Sequence, residues 1–116
     1  MSDTMLQLLA SIEELDAILD HSGERPQLIF KHSLTCPISH RAFRALEAYL
    51  GNSPATGVDY HLIQIQHARG VSNEVADRLG LRHESPQAIL VREGKIVWNA
   101  SHGAVTEKAL EEHLGA

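Results

Sequence analysis

The segment LIFKHSLTCP, residues 28–37, decides the fold. Its first three residues form a short, wholly apolar run, which is typical of a strand that is covered on both faces of a sheet. After Pro37 the apolar residues recur at the spacing of one helix face, and they are Ile38, Ala42, Ala45, Leu46 and Tyr49. The pattern therefore predicts a buried strand that ends, and a helix that begins, on the two sides of Cys36.

Apolar runs and helix-period segments also alternate before and after this unit. Residues 5–9 suit a short edge strand, and Ser11 with Glu14 forms a capping-box pattern that starts a helix. Gly23 is a plausible end for that helix. Residues 58–66 predict a strand that follows the helix after Cys36.

The second half of the chain predicts a helix, a hairpin and a last helix. Ser72 is predicted to cap a helix that ends at Gly80. Two apolar runs then flank Glu93-Gly94, and a two-residue connection of this kind indicates a tight hairpin. Thr106 is expected to cap the final helix.

The order of these elements indicates a fold class. A strand, a helix and a second strand imply a parallel pair with a right-handed crossover, and the hairpin adds an antiparallel pair. The sequence therefore predicts a single α/β domain over residues 1–116 with a thioredoxin-like layout. In that layout helices cover both faces of a mixed sheet of four or five strands.

The composition excludes several classes of protein. The chain has 116 residues, of which 43% are hydrophobic, so one domain with a core is expected. A net charge of −5 argues against a nucleic-acid binder that reads phosphates through a basic face. No apolar run reaches the roughly 18–20 residues that span a bilayer. Residues 1–4 place no basic group before the first apolar stretch, so no secretory signal is expected. We expect no membrane association and a cytoplasmic location.

The single cysteine, Cys36, is the predicted nucleophile. One thiol forms no internal disulfide, and it excludes a zinc site of several thiolates. Pro37 suits the first helical position, which puts Cys36 at or near the N-cap. There the sulfur faces unpaired amides and the positive end of the helix dipole, and both favour the thiolate. Thr35 is expected to donate a hydrogen bond to the sulfur, so Thr35 and Pro37 are predicted to stabilise the thiolate.

Two other interpretations of Cys36 stay open. A buried core thiol is one, although such a thiol belongs in a periodic apolar stripe rather than at a proline-bounded turn. A metal pair is the other, because His32 and His40 each lie four residues from Cys36, but we predict no metal site without further ligands. The sequence does not fix where Lys31, His40 and Arg41 point. Histidines elsewhere are predicted to be solvated, namely His21, His61, His67 and His113.

A second signal is the dipeptide Ser85-Pro86, in the loop that opens the strand beside the Cys36 turn. A cis bond there would expose the amide and carbonyl of Ser85 next to the sulfur. An extended peptide, or the amide-rich chain of a small thiol, would then pair with that backbone. Ser85 and Pro86 are therefore predicted to bind substrate. An ordinary turn proline that starts a strand is an equally good explanation.

These motifs resemble a known family. The residues TCPIS at 35–39, HESPQ at 83–87 and ASH at 100–102 are similar to the monothiol bacilliredoxins of the bacillithiol redox system. The likeness runs from about Leu8 to Leu114. It implies a thioredoxin-like fold, a cis Pro86 and a Cys36 that removes bacillithiol from mixed disulfides on proteins. Monothiol glutaredoxins carry Gly-Phe-Ser after the cysteine, so iron–sulfur binding of their kind is not implied.

Ser39 stands where dithiol oxidoreductases carry the second cysteine of Cys-X-X-Cys. Its hydroxyl cannot usefully attack a disulfide, but it can hydrogen-bond the Cys36 thiolate. Cys36 would therefore attack the small-thiol sulfur of an S-bacillithiolated protein and remain capped. Another low-molecular-weight thiol, or a resolving redox protein, must then clear the cap. No bound cofactor is expected, and the resemblance makes bacillithiol the thiol co-substrate.

Two further functions stay open on the sequence. One is a non-catalytic thioredoxin-like redox sensor or binding module with a reactive Cys36, which would be capped once and not turn over. The other is a thiol peroxidase, which is weaker. Peroxide reduction normally needs a base or an arginine beside the thiolate, and Arg41 and Arg44 are the nearby candidates.

Overall fold

The computed structural model describes residues 5–52 and 54–115. Residues 1–4, where the sequence shows no basic stretch, lie outside the described residues. The strands are β1 Leu6–Leu8, β2 Gln27–His32, β3 Asp59–Gln64, β4 Gln87–Arg92 and β5 Lys95–Ser101. The helices are α1 Ile12–His21, α2 Pro37–Gly51, α3 Arg69–Leu79 and α4 Glu107–Leu114. Short 3₁₀ turns follow β3 at Ile65–His67 and β5 at His102–Ala104.

The strands form one mixed sheet in the order β1-β3-β2-β4-β5. β1, β3 and β2 run parallel, whereas β4 pairs with β2 and β5 in antiparallel fashion. All six residues of β2 are buried, as expected for a central strand with a helix on each side. The predicted α/β class is confirmed, and the mixed sheet, predicted with four or five strands, has five.

The sheet separates two apolar cores, and alternate residues of β2 contribute to each. Leu28 and Phe30 pack with α2 and α4, whose buried residues include Leu46 and Leu110. Ile29 packs on the opposite face with the residues that α1 and α3 bury. Helices therefore lie on both faces. Within the described part of the chain, no helix is long and apolar enough to cross a membrane.

Most of the predicted local signals are present. The Glu14 amide donates to Ser11 Oγ over 3.1 Å, although the Glu14 carboxylate reaches back to the amide of Ala10 rather than of Ser11. Glu93 and Gly94 both have positive φ, at 54° and 73°, which a primed two-residue hairpin turn requires.

The last helix also follows its prediction. Thr106 Oγ1 accepts from the Ala109 amide at the start of α4. Near the other end of α4, His113 stacks on Trp98 of β5, with ring centroids 4.6 Å apart.

The predicted start of α3 is wrong. The helix begins at Arg69 with Ala68 as its N-cap, so Ser72 lies inside it and is buried. The predicted end is right, because Gly80 is the C-cap and has a left-handed φ of 63°. The strand predicted over 58–66 is also shorter, since β3 ends at Gln64 and a 3₁₀ turn follows.

Candidate active site

Cys36 is the N-cap residue of α2, with an extended backbone, and Pro37 occupies the first helical position. Its side chain is partly buried. The sulfur makes no hydrogen bond to the amides of the first turn. Those amides therefore still have donors to offer, and the positive end of the helix dipole lies at the sulfur. The predicted placement at a helix terminus matches the structure, whereas the thiolate-stabilising role of Pro37 stays a prediction.

Gln66 fastens the loop that leads into Cys36. It lies in the turn after β3, which runs parallel to β2, so both chain segments leave the sheet at the same edge. Its Oε1 accepts from the Leu34 amide over 2.9 Å, and its Nε2 donates to Ser33 Oγ over 3.0 Å and to Thr35 Oγ1 over 3.4 Å. The predicted bond from Thr35 to the sulfur stays a prediction. Sequence reasoning missed Gln66, and its place at the end of the strand predicted over 58–66, parallel to β2, was the available signal.

His40 holds the same loop from the helix side. Its Nε2–H donates to the Leu34 carbonyl over 2.8 Å, which leaves the exposed ring lying back over the loop. The backbone before Cys36 is therefore held between the turn after β3 and the first turn of α2. Such a loop presents the sulfur in one place without needing a helix-capping bond.

Ser39 is fully buried beneath the loop, one helical turn after Cys36. Its Oγ accepts from the Ser33 amide over 2.8 Å and lies 2.8 Å from His32 Nδ1. The predicted bond from Ser39 to the Cys36 thiolate stays a prediction. His32 is itself buried, and burial, with a smaller effect from neighbouring His40, lowers its pKa.

Lys31 points to the face of the sheet that α3 covers, opposite to α2, and it is fully buried there. Its Nζ donates to the Ser72 carbonyl over 3.0 Å and to His83 Nδ1 over 3.1 Å. Burial lowers the pKa of Lys31 to about 8. Burial also lowers the pKa of His83, and the positive charge of Lys31 adds to the effect. The amine thus connects β2 to α3 and to the loop before β4.

The peptide bond between Ser85 and Pro86 is cis, as the family resemblance implies. It opens β4, whose first residue Gln87 pairs with Lys31 near the end of β2. The Pro86 carbonyl accepts from the His102 amide over 3.0 Å. Ser85 Oγ is buried and has no partner among the described residues. The topology therefore brings this loop to the end of β2 that leads to Cys36, and a substrate-binding role for Ser85 and Pro86 stays a prediction.

An apolar groove of about 340 Å³ lies between α2 and the turn after β5. It begins at Ile38, which lies two residues after Cys36 and is 50% exposed. Arg41 and His102 also line it, which shows where Arg41 points. A larger cavity of about 400 Å³ lies at the opposite end of the sheet, around Asp59. That cavity contains none of the predicted site residues, so chemistry assigns the site to the Cys36 end.

A lone thiol at a helix N-cap, beside a cis-proline loop and at the end of a central strand, defines a thiol oxidoreductase with a thioredoxin-like fold. The model of the family "Monothiol bacilliredoxin BrxC" matches residues 7–110. The chain therefore belongs to the monothiol bacilliredoxin family, as its motifs indicate.

Solved structures give the same fold. A protein with a thioredoxin fold is 28% identical to the chain, with a TM-score of 0.82, and the match covers 96% of this chain and 95% of the other. Thioredoxin from Fasciola hepatica is 15% identical, with a TM-score of 0.73 and coverage of 93% and 95%. Thioredoxin from Malassezia sympodialis is 13% identical, with a TM-score of 0.74 and coverage of 94% and 87%.

Proposed function

We propose that the chain removes bacillithiol from protein mixed disulfides through Cys36, in the cytoplasm. The observation that carries this proposal is the position of the chain's one thiol, at the N-cap of α2 with Ser39 one turn later. A nucleophile is present, and no second thiol of the same chain can resolve what it forms. Such a site suits a single exchange with a small thiol.

In the first step the Cys36 thiolate attacks the bacillithiol sulfur of a mixed disulfide. A new disulfide forms between Cys36 and bacillithiol, and the bond between bacillithiol and the target protein breaks. The target cysteine leaves as a thiolate and takes a proton from water. The helix dipole favours the attacking thiolate, and the Ser39 hydroxyl donates a hydrogen bond to it.

In the second step an outside thiolate attacks the bacillithiol sulfur of the disulfide that caps Cys36. The Cys36 thiolate leaves, and bacillithiol departs as a disulfide with the incoming thiol. The incoming group is a second low-molecular-weight thiol or a cysteine of a resolving redox protein. The exposed side of Cys36 admits it, and the backbone at Ser85 and Pro86 pairs with the chain of the substrate.

The groove at Ile38 provides the apolar part of substrate recognition. It begins at the exposed Ile38, two residues after Cys36, so an apolar side chain next to the modified cysteine fits there. His102 closes one side, and its amide is bonded to the Pro86 carbonyl. His102 therefore connects the groove to the cis-proline loop.

The test is to mix the reduced protein with a target that carries bacillithiol on a single cysteine. We expect release of the target thiol and a mass increase on Cys36 equal to one bacillithiol, measured by mass spectrometry. Added thiol should then make the release catalytic. The variant Cys36→Ser serves as the control and should release nothing.

Two outcomes would contradict the proposal. If the target protein, rather than bacillithiol, becomes linked to Cys36, then the wrong sulfur is attacked. If Cys36 is capped once and neither added thiol nor a reducing partner protein restores it, then the chain is a redox sensor that does not turn over.

A further inference from the structure

Lys31 is a buried cation that pairs with no carboxylate among the described residues. Its side chain is fully buried, and its Nζ donates to the Ser72 carbonyl over 3.0 Å and to His83 Nδ1 over 3.1 Å. Because its pKa is about 8, the amine is still mainly protonated at pH 7. A buried charge that only neutral groups contact favours an anion close by.

The bond from Lys31 fixes the tautomer of His83. An ammonium group only donates, so His83 Nδ1 must accept, and the ring proton is then on Nε2. Ser72 Oγ lies 3.4 Å from the same Nδ1 and agrees with this tautomer, because a hydroxyl can also donate. His83 is exposed, and within the described part of the chain its Nε2 has no hydrogen-bond partner. An N–H donor backed by a buried positive charge is therefore open to a ligand.

Arg69 brings a second cation to the same place. It is the first residue of α3, and Ser72 lies one turn later on the same helix face. Because Ser72 contacts both Lys31 and His83, Arg69 lies beside that pair. Burial and then the charge of Lys31 lower the pKa of His83, and Arg69 adds a smaller effect, which agrees with this placement. Arg69 is exposed and forms no ion pair with any described residue.

Glu84 is the carboxylate whose charge also acts on His83, in the opposite direction. Its Oε1 lies 3.7 Å from His102 Nε2, in the turn after β5. Glu84 is thus engaged on the side of β5, whereas Lys31 and Arg69 lie on the side of α3. The surroundings of the His83 ring therefore hold more positive than negative charge, although the whole chain carries a net charge of −5.

The loop before β4 connects His83 to the surface beside Cys36. His83 lies two residues before Ser85, a separation of at most about 7 Å along the chain. The Ser85-Pro86 bond leads into Gln87, which pairs with Lys31 one residue before β2 ends towards Cys36. A small thiol that pairs with the backbone of Ser85 therefore reaches His83 with a chain of a few bonds.

We propose that His83 and Arg69 bind a carboxylate of the low-molecular-weight thiol that caps Cys36, and that Lys31 is a positioning residue for His83. The inference rests on the proposed function, because it names the chemical class of the small thiol. The Nε2–H of His83 and the guanidinium of Arg69 donate to the carboxylate, and such charge-assisted hydrogen bonds are the strong ones. Lys31 contacts no ligand: it fixes the His83 tautomer and supplies positive charge from behind the ring.

The first test compares how fast Cys36 reacts with small disulfides of different charge. Dithiodipropionate carries two carboxylates, bis-hydroxyethyl disulfide is neutral and cystamine carries two ammonium groups. In each reaction the Cys36 thiolate bonds to one half of the probe and the other half leaves as a thiol, so the mass of the protein reports the rate. The quantity compared is the rate with each charged probe divided by the rate with the neutral probe, at pH 7 and low salt.

Arg69→Gln should lower the ratio for dithiodipropionate about three-fold and should raise the ratio for cystamine, because an exposed charge contributes a modest attraction. Arg92→Gln is the matched control. It makes the same change in net charge, but Arg92 is exposed at the other end of β4. Its ratios should equal those of the wild type. Equal ratios in Arg69→Gln and the wild type, or equal shifts in both variants, would overturn the inference.

The second test observes the His83 ring by ¹⁵N NMR in the variant Cys36→Ser, which does not react with the probes. We expect the ring proton on Nε2, and a saturable shift of the Nε2 signal with dithiodipropionate but not with bis-hydroxyethyl disulfide. Adding Lys31→Met should give a mixture of the two tautomers and a weaker response to dithiodipropionate. A ring that is protonated on Nδ1, or that does not respond to the anionic probe, would contradict the proposed site.

The outcomes separate this inference from the proposed function, because neither test uses bacillithiol or a target protein. A protein that releases bacillithiol from its target but shows no effect of Arg69→Gln on the probe ratios would overturn the inference alone. A protein that shows the expected ratios and the His83 response, yet releases no bacillithiol, would overturn the proposed function alone.

Discussion

The two ends of the sheet bury polar side chains in different ways. At the end away from Cys36, Asp59 accepts from Arg25 Nε over 3.0 Å and from Gln27 Nε2 over 2.8 Å. His61 Nε2 then donates to Gln27 Oε1 over 2.7 Å. We call Arg25, Gln27, Asp59 and His61 the far cluster. Each of these side chains has a partner, and the Arg25 guanidinium faces the Asp59 carboxylate.

At the Cys36 end the buried polar groups are not matched in this way. Among the described residues, Lys31 Nζ bonds to a carbonyl and an imidazole, with no carboxylate. Ser85 Oγ and Gln87 Oε1 are buried without a described partner. Burying an unmatched polar group reduces stability. The comparison shows that hydrogen-bonded polar groups stabilise the fold at the far cluster, whereas the Cys36 end buries polar groups with incomplete pairing.

The largest expected effect separates chemistry from stability at the Cys36 end. Cys36→Ser should lower the release of bacillithiol by at least about 1,000-fold, because a hydroxyl is not a nucleophile towards disulfides. The free energy of unfolding should change by less than about 0.5 kcal/mol, because the thiol is partly exposed and makes no capping bond. The measurements are a release assay and thermal unfolding. Residual release of a few per cent would mean that another group performs the exchange.

The next prediction tests the unmatched cation. Because burial lowers the pKa of Lys31 to about 8, the unfolded chain binds more protons than the folded one between pH 8 and 10.5. Stability from this group therefore rises with pH, by about 2 kcal/mol from pH 7 to 9.5. Lys31→Met should lose this rise, as measured by urea unfolding at each pH. Burial raises the pKa of Tyr60, which opposes the rise at higher pH, so the scan stops at 9.5.

An equal dependence of the unfolding free energy on pH in the wild type and in Lys31→Met would contradict this prediction. It would show that the burial of the Lys31 ammonium is compensated in solution. Lys95→Met, at an exposed lysine, is the control and should keep the slope.

The far cluster should show the opposite behaviour. Burial raises the pKa of Asp59, but hydrogen bonds from Gln27 and Arg25 and the charge of Arg25 outweigh it, so the net pKa is below its usual value. The contribution of Asp59 to stability is present above about pH 4 and is lost as the pH falls through the folded pKa.

Asp59→Asn should therefore lower the free energy of unfolding by about 1 kcal/mol at pH 7. The effect is small because the Arg25–Asp59 pair is partly exposed. The variant should also lose less stability than the wild type as the pH falls. Urea unfolding between pH 2 and 7 measures both effects. Release of bacillithiol should stay at the wild-type rate, and a slower rate would show that the two ends are coupled.

The smallest effect concerns the loop before Cys36. Gln66→Ala removes three hydrogen bonds from an exposed side chain, so release should slow about three-fold while stability changes by less than about 0.5 kcal/mol. His67→Ala, at the next exposed position of the same turn, should leave both unchanged. Equal effects of the two substitutions would show that the turn itself, rather than the Gln66 side chain, supports the loop.

Local patterns made much of the fold predictable. The junction at Cys36 and Pro37, the caps at Ser11 and Thr106 and the turn at Glu93-Gly94 each depend on residues within one or two turns of chain. Neighbouring residues decide such structures, so the sequence contains the needed information. The one cysteine likewise directed attention to the end of the sheet where α2 begins.

Long-range contacts explain the errors. Ser72 resembles a cap, but its carbonyl accepts from Lys31, 41 residues away, inside α3. His61 was expected in solvent, yet it is buried against Gln27 from another strand. The contact between His32 and Ser39 joins a strand to a helix, and the spacing of seven residues across a turn gives no periodic signal.

Trp98, the single tryptophan, stacks on His113 and gives the protein an intrinsic fluorescent probe. Because the two rings are stacked, the emission of Trp98 depends on how closely His113 packs against it. Both rings lie by α4, whose opposite end borders the groove beside Cys36. A ligand that binds in that groove and displaces α4 changes the contact between the rings. Trp98 fluorescence then reports the binding without any label.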